Sequence, residues 1–353
     1  PEEVADTAQR IVKHLMKPLH LEGKEIVVRA SLGVSMLDHD SPADADELIR
    51  NADAAMYIAK RDGKGSYRLF EPTMHSDVLA RLELRADLQR ALVNDEFELY
   101  YQPVIRLSDA TASGVEALVR WRHPERGLIA PAEFIPFAEE SGLIIPLGRW
   151  VLREGCRQAR TIQNHVLADP PLTMNINISV NQLHQSDIVA DVRDALSDSG
   201  LDPACLTLEI TETVMMINAD LAEQRLIELK QLGVRIALDD FGTGYSSLAY
   251  LSRFPVDVIK MDRSFLFAGA SPVTSGLATA VIGLGKTFEL DVVAEGIEFP
   301  EQWTTLRGLG CELGQGFYFA KPMDSSATIE YLQASPNVSG ARRLTDSRPV
   351  NAT

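Results

Sequence analysis

Groups able to bind a hard cation recur in this chain at the ends of short apolar runs. Glu116 lies in Val115–Trp121, Asn177 is near the end of Thr173–Ile178, and Glu209 is near the end of Leu206–Thr211. Asp239 and its neighbour Asp240 close the run that begins at Arg235. Lys260 and Asp262 follow at the end of Val256–Met261, Glu295 ends Val292–Glu295, and Gln315 stands at the start of Gly316–Phe319. Carboxylates gathered in one place repel one another, and their pKa values rise unless a cation neutralises them. Carboxylate oxygens with one amide oxygen suit Mg²⁺ or Mn²⁺. The chain has no His-x-His and no His-Glu-x-x-His, so a zinc site of the usual kind is disfavoured. Two adjacent aspartates suit a pair of metals, one carboxylate bridging and the other holding the second ion. Such pairs, ~3.5–4 Å apart, activate water and neutralise charge in phosphodiester hydrolysis.

Each of these residues also has a plain structural reading. A lone Glu in a strand ordinarily faces solvent, Lys260 alone reads as a surface lysine, and Asp239–Gly244 alone reads as a tight turn with glycines at positive φ. Repetition at one end of successive strands is what favours a site. The elements must therefore bring those ends together. Eight strands are predicted, at Phe97–Tyr101, Val115–Trp121, Thr173–Ile178, Leu206–Thr211, Arg235–Asp239, Val256–Met261, Val292–Glu295 and Gly316–Phe319. Helical patterns lie between most of them, at Pro146–Ile162, Gln185–Ser199, Leu221–Leu232 and Thr274–Phe288. Over about 240 residues this alternation matches an α/β (β/α)8 barrel, whose strand ends converge on one face. A doubly wound open sheet is the competing architecture, weakened because no Gly-x-Gly-x-x-Gly follows an early strand.

Ahead of the barrel, residues 30–36 and 66–70 read as strands flanking an amphipathic helix over 44–61, with Leu48, Ile49, Ala52, Ala55, Met56 and Ala59 on one face and Gly63 as its stop. About 70 residues is near the lower limit for an independent core. The expected organisation is a partial α/β segment over 1–71, a linker helix over 72–93, the barrel over 94–334 and a flexible tail over 335–353. The absence of an initial Met suggests a fragment or a processed chain.

The 353 residues carry 34 basic and 50 acidic side chains, a formal charge of −16. That balance speaks against a DNA or RNA polymer as partner, because polymer binding depends on neutralising many phosphates. A small anion remains compatible if metal or local cations receive it. Cys156, Cys205 and Cys311 are far apart and form no Cys-x-x-Cys, the pattern of reduced thiols in a cytoplasmic domain. No apolar run reaches the ~18 residues of a membrane span.

The same residues resemble the EAL domain family, in an ordered series. Glu116-Ala117-Leu118-Val119-Arg120-Trp121 carries the namesake motif, preceded by Tyr101-Gln102-Pro103. Asn177-Ile178-Ser179, Leu208-Glu209-Ile210-Thr211-Glu212 and Asp239-Asp240-Phe241-Gly242-Thr243-Gly244 follow. Lys260-Met261-Asp262, Ala294-Glu295-Gly296-Ile297-Glu298 and Gln315-Gly316-Phe317-Tyr318-Phe319 complete it. Val119 replaces a commoner Leu without evident chemical cost. Residues 1–71 resemble the C-terminal part of a GGDEF domain, on Ala30-Ser31-Leu32-Gly33-Val34, Ala52-Asp53-Ala54-Ala55-Met56-Tyr57 and Lys60-Arg61-Asp62-Gly63-Lys64, without the GGDEF loop.

The resemblance implies a TIM-like barrel that hydrolyses cyclic di-GMP to pGpG with Mg²⁺ or Mn²⁺, two per site, in bacterial second-messenger signalling. It implies Glu116, Asn177, Glu209, Asp239 and Asp240 as metal ligands, Glu295 as general base or as a ligand orienting the attacking water, and Lys260 as the cation that holds that water. It implies Gln102, Arg120 and Gln315 at the substrate, Glu212 anchoring the glycine-rich loop, and Glu298 supporting the site. It further implies upstream sensor or cyclase domains in a longer parent that can be membrane-attached, and a homodimer through the barrel, although the sequence is equally compatible with a monomer. The rival reading is a catalytically silent cyclic di-GMP receptor.

Overall fold

The computed structural model describes residues 2–21, 24–26, 30–37, 44–61, 65–185, 187–213, 218–242, 248–267 and 272–334. The expected tail over 335–353 and the Gly63 helix stop lie outside the described residues. The chain divides into two compact units, Pro1–Asp87 and Leu88–Thr353.

In the first unit, strands Leu32–Val34 and Tyr67–Leu69 pair in parallel, joined through the helix Ala45–Arg61. The unit adds a helix Glu2–Leu15 and a hairpin of Leu19–Leu21 with Lys24–Ile26, neither read from the sequence. The buried face of Ala45–Arg61 is narrower than predicted. Ala54, Ala55 and Ile58 pack with Met74 and Phe70, whereas Ile49 is 59% exposed.

In the second unit, eight strands close a ring: β1 (Phe97–Arg106), β2 (Thr111–His123), β3 (Thr173–Asn177), β4 (Leu206–Thr211), β5 (Arg235–Phe241), β6 (Val258–Met261), β7 (Asp291–Ala294) and β8 (Leu313–Gly314). A short strand Gly127–Ile129 folds back on β2 outside the ring. Neighbours from β2 to β8 run parallel, but β1 is antiparallel to both β2 and β8. The barrel is therefore mixed, not wholly parallel. The reason lies at residues 107–110: a tight turn joins β1 to β2, too short for the crossover that parallel neighbours require. Asp109 Oδ1 braces that turn, accepting from Thr111 N (3.1 Å) and Thr111 Oγ1 (2.6 Å).

The last strand is also displaced. Its residues are Leu313–Gly314, and Phe317–Phe319 form a turn, with Phe319 N and Ala320 N bonded to Gly316 O. The aromatic run has the composition of a strand, but Tyr318 stacks on Trp303 and Phe319, and Phe317 is 57% exposed. The predicted helix Pro146–Ile162 extends over Ile144–His165, with Leu147, Val151, Leu152, Cys156, Ala159 and Ile162 in a buried stripe. Gln185–Ser199 resolves into Val180–Gln185 and Ile188–Ser199, the latter capped by Asp187.

Alternation along the strands places the site. Side chains two apart share a face. Val104, Ala237, Val258 and Val293 form a buried layer inside the barrel, with Leu313 packed on it. Two residues beyond Ala237, Val258, Val293 and Leu313 come Asp239, Lys260, Glu295 and Gln315. On β1, which runs the other way, Gln102 comes two residues before Val104. One apolar layer thus floors the polar one and keeps water from beneath it.

Candidate active site

Lys260 is the centre of the polar layer. Its side chain is 1% exposed, and Nζ lies 2.7 Å from Glu209 Oε2, 2.7 Å from Glu295 Oε1, 3.4 Å from Glu116 Oε2 and 3.4 Å from Asp239 Oδ1. Burial alone would strip its proton, but the four carboxylates outweigh burial and hold the ammonium charged. A surface lysine, the plain reading of this position, is excluded. One positive charge facing four acids leaves an excess of negative charge in a dry environment, and the carboxyls respond unequally. Burial, reinforced by Glu116, pushes Glu209 well above the usual range against the pull of Lys260. Burial with Asp239 and Glu116 pushes Glu295 up to about 7. For Glu116 burial acts upward, but Lys260 and donors on Gln315 and Asn177 hold it low. Those donors are Gln315 Nε2 (2.7 Å to Oε2) and Asn177 Nδ2 (2.8 Å to Oε1). Gln315 Nε2 also reaches Gln102 Oε1 at 2.9 Å, and Gln102 Nε2 donates to Ala320 O at 3.0 Å.

Asp239 and Asp240 are sequence neighbours and should point to opposite faces of β5. The register explains why both serve one site. Leu238 pairs with Ile259 and Phe241 with Met261, so two residues, Asp239 and Asp240, oppose the single Lys260. This is a β-bulge, with Asp240 in the left-handed region at φ 54°. Bulges re-aim side chains beside active sites. Here the outcome is that one ligand atom from each of Asp239, Asp240 and Glu295 falls within 4.8 Å of the others. Burial, then Asp239 and Asp262, raise the Asp240 carboxyl as well.

These residues fit a divalent cation. Among the described residues, Glu209 Oε1 and Gln315 Oε1 are buried without a hydrogen-bond partner, an expensive state for oxygens unless a cation is their partner. The donor set is oxygen, the charge surplus is negative, and three carboxylates already converge.

A cavity of about 240 Å³ opens over this layer. It is lined by Gln102, Glu116, Glu295, Gln315 and Glu298 among the predicted residues, and by Leu118, Asp262, Arg263 and Phe317. Glu298 is thus a wall residue as well as a neighbour. Glu212 stands at the end of β4, where its Oε1 accepts from Gly242 N at 2.9 Å. Arg120 is not among the lining residues: Nη1 donates to Val119 O at 2.9 Å and the guanidinium lies 5.5 Å from the Tyr100 ring centre. Arg263, Phe317 and Leu118 escaped the sequence reading. Arg263 and Phe317 sit in turns without periodicity; Leu118 shared the inner-face parity of Glu116 and was findable by it.

The EAL domain family model matches residues 85–322, and the diguanylate cyclase, GGDEF domain, model matches residues 1–66. The chain is 40% identical over 328 residues to the cyclic di-GMP phosphodiesterase NbdA of Pseudomonas aeruginosa, covering 93% of this chain and 42% of the relative. It is 40% identical over 330 residues to the bifunctional diguanylate cyclase/cyclic di-GMP phosphodiesterase MucR of the same organism, covering 93% of this chain and 48% of the relative. The chain spans less than half the length of both relatives. Among solved structures, the MucR phosphodiesterase in complex with c-di-GMP matches with a TM-score of 0.66 at 40% identity, over 70% of this chain and 99% of that one. The EAL enzyme Bd1971, bound to cAMP and cyclic di-GMP, matches with a TM-score of 0.70 at 32% identity, over 82% of this chain and 77% of that one.

Proposed function

The chain belongs to the EAL domain family across residues 85–322, and on that footing we propose that it hydrolyses cyclic di-GMP to linear pGpG with Mg²⁺ or Mn²⁺, two per site. The observation that carries the reading is the bulge that turns Asp239 and Asp240 toward Glu295 beside the buried Lys260.

In this reading Glu116, Asn177, Glu209, Asp239 and Asp240 hold the metal. When bound, the ions offset carboxylate charge and make water a better nucleophile. The remaining work falls to the protein. Glu295, beside Asp239 and Asp240, is placed to take the water's proton. Lys260 orients it through the 2.7 Å contact. Water attacks phosphorus, an O–P bond forms as the P–O3′ bond breaks, and the water's proton passes to Glu295. The 3′ oxygen leaves as a hydroxyl after protonation from solvent, and the phosphate stays on the 5′ side. Gln102 and Gln315 line the cavity and contact substrate. Arg120 would have to leave the Val119 carbonyl to meet a phosphate oxygen. Residues 1–71, with no Gly-Gly-Asp-Glu-Phe sequence in the chain, supply no cyclase chemistry of their own.

Chromatography of products after incubation with cyclic di-GMP and Mg²⁺ or Mn²⁺, beside a Glu116→Ala control, tests this. A metal-dependent pGpG peak lost in the control supports it. Stoichiometric binding with no pGpG identifies a receptor instead.

A further inference from the structure

Asp262 and Arg263 link β6 to a four-residue helix, Ser264–Phe267, and the sequence assigns Arg263 and Phe265 no role. Asp262 Oδ1 accepts from Ser264 N at 2.9 Å and Asp262 O accepts from Phe265 N at 3.2 Å, which fix where Phe265 points away from the strand. On one side of this segment lies Gly242, immediately after the bulge, at φ +96°. A Cβ on Gly242 would stand 2.1 Å from Cζ and 2.6 Å from Cε2 of Phe265, so the ring packs directly on the glycine. On the other side lies Gly296, immediately after Glu295, at φ +68°; a Cβ there would stand 2.4 Å from Cβ of Arg263. The end of β5, which carries Asp239 and Asp240, and the loop carrying Glu295 therefore both adjoin the segment Asp262–Phe265, through Gly242 and Gly296.

We propose that Phe265 is a positioning residue for the cation site: its ring seats Gly242 and so sets the spacing of Asp239 and Asp240 from Glu295. The proposal rests on the reading of these acids as the metal site. Glu212 already tethers the Gly242 amide from the β4 side; Phe265 supplies the opposing contact from the β6 side. Glu212 and Phe265 thus hold Gly242 from two sides. Phe265 touches no reacting atom. Its effect passes through the bulge, so it belongs to cation affinity before catalysis.

The test is Mn²⁺ binding by calorimetry on the full chain, without substrate, for wild type, Phe265→Ala, Phe265→Leu, Gly242→Ala and the double variant Phe265→Ala/Gly242→Ala. Phe265→Ala should weaken Mn²⁺ about tenfold, and Phe265→Leu should recover most of that loss. Gly242→Ala should be worse than Phe265→Ala, because its methyl meets the ring. The double variant should bind better than the product of the two single losses, since removing the ring makes room for the methyl. Should Phe265→Ala not fold, Phe265→Leu and Gly242→Ala carry the comparison. Affinity within twofold of wild type in Phe265→Ala, a loss in Phe265→Leu as large as in Phe265→Ala, or losses that simply multiply, would overturn the proposal. Product chromatography on wild type separates the two ideas. Absence of pGpG with the expected affinity pattern sinks the phosphodiesterase reading alone; pGpG with unchanged affinities sinks the role of Phe265 alone.

Discussion

Replacing Lys260 with Met keeps an unbranched side chain one heavy atom shorter and removes its charge. Glu209 and Glu295, each 2.7 Å from Nζ, lose their partner, and Glu116 and Asp239 at 3.4 Å lose theirs in part. Breaking a buried pair by deleting one member costs about 3–5 kcal/mol. The acids have an escape, which is to bind a proton. For a carboxyl of ordinary pKa that costs roughly 3.5 kcal/mol at pH 7 and about 1 kcal/mol at pH 5, at ~1.4 kcal/mol per unit. The escape caps the penalty and makes it pH-dependent. Metal-free Lys260→Met should thus be about 3 kcal/mol less stable than wild type at pH 7.5 and about 1 kcal/mol less stable at pH 5. The assay is urea unfolding in chelator, followed by tryptophan fluorescence. Trp121, Trp150 and Trp303 all lie in the second unit, so the signal reports the barrel. An equal loss at both pH values, or a larger loss at pH 5, would refute the electrostatic account and leave Lys260 as a packing residue.

Three further outcomes follow from the same geometry. Glu295 is held up to about 7, above its unfolded value, so the stability it contributes is full in acid and is lost as pH rises through about 7. Melting of the metal-free protein should therefore fall between about pH 5 and 7 and level off above, and the fall should flatten in Glu295→Gln; a rise over that range contradicts it. Gly296→Ala places a methyl 2.4 Å from Arg263 Cβ at φ +68°, which should cost about 1–3 kcal/mol and lower the melting temperature, whereas an unchanged melt would show the contact to be loose. The three cysteines are buried and free, with burial raising the Cys156 thiol to about 12 and the Cys311 thiol to about 11. A thiol reagent should react slowly with the native protein and with three equivalents in denaturant; rapid native labelling would mean that the core opens.

The barrel and most of its polar layer were readable because strands alternate. Glu116, Glu209, Asp239, Lys260, Glu295 and Gln315 all obey one inward parity, and that parity survives in the bare order of residues. Asp240 breaks it, and only the two-against-one register with β6 explains how it joins the site. The hairpin at 107–110 reversed the first strand without disturbing the inward face, so the convergence of Gln102 was legible while its direction was not. The eighth strand, Leu313–Gly314, precedes the run whose composition predicts it, for a chemical reason. Phe317, Tyr318 and Phe319 have strand composition, but Tyr318 and Phe319 meet edge to face within a turn and Phe317 is exposed. Arg263 and Phe317 reach the cavity from turns, where no repeat marks which way a side chain points.

Turnover of cyclic di-GMP in ¹⁸O-labelled water with Mn²⁺, followed by mass spectrometry of the product, tests the central claim most directly. The account predicts pGpG with one ¹⁸O in its 5′-phosphate and none in the 3′-hydroxyl, formed only with divalent metal. Intact cyclic di-GMP recovered from a metal-loaded, ligand-bound protein, or label in the 3′-hydroxyl, would contradict it.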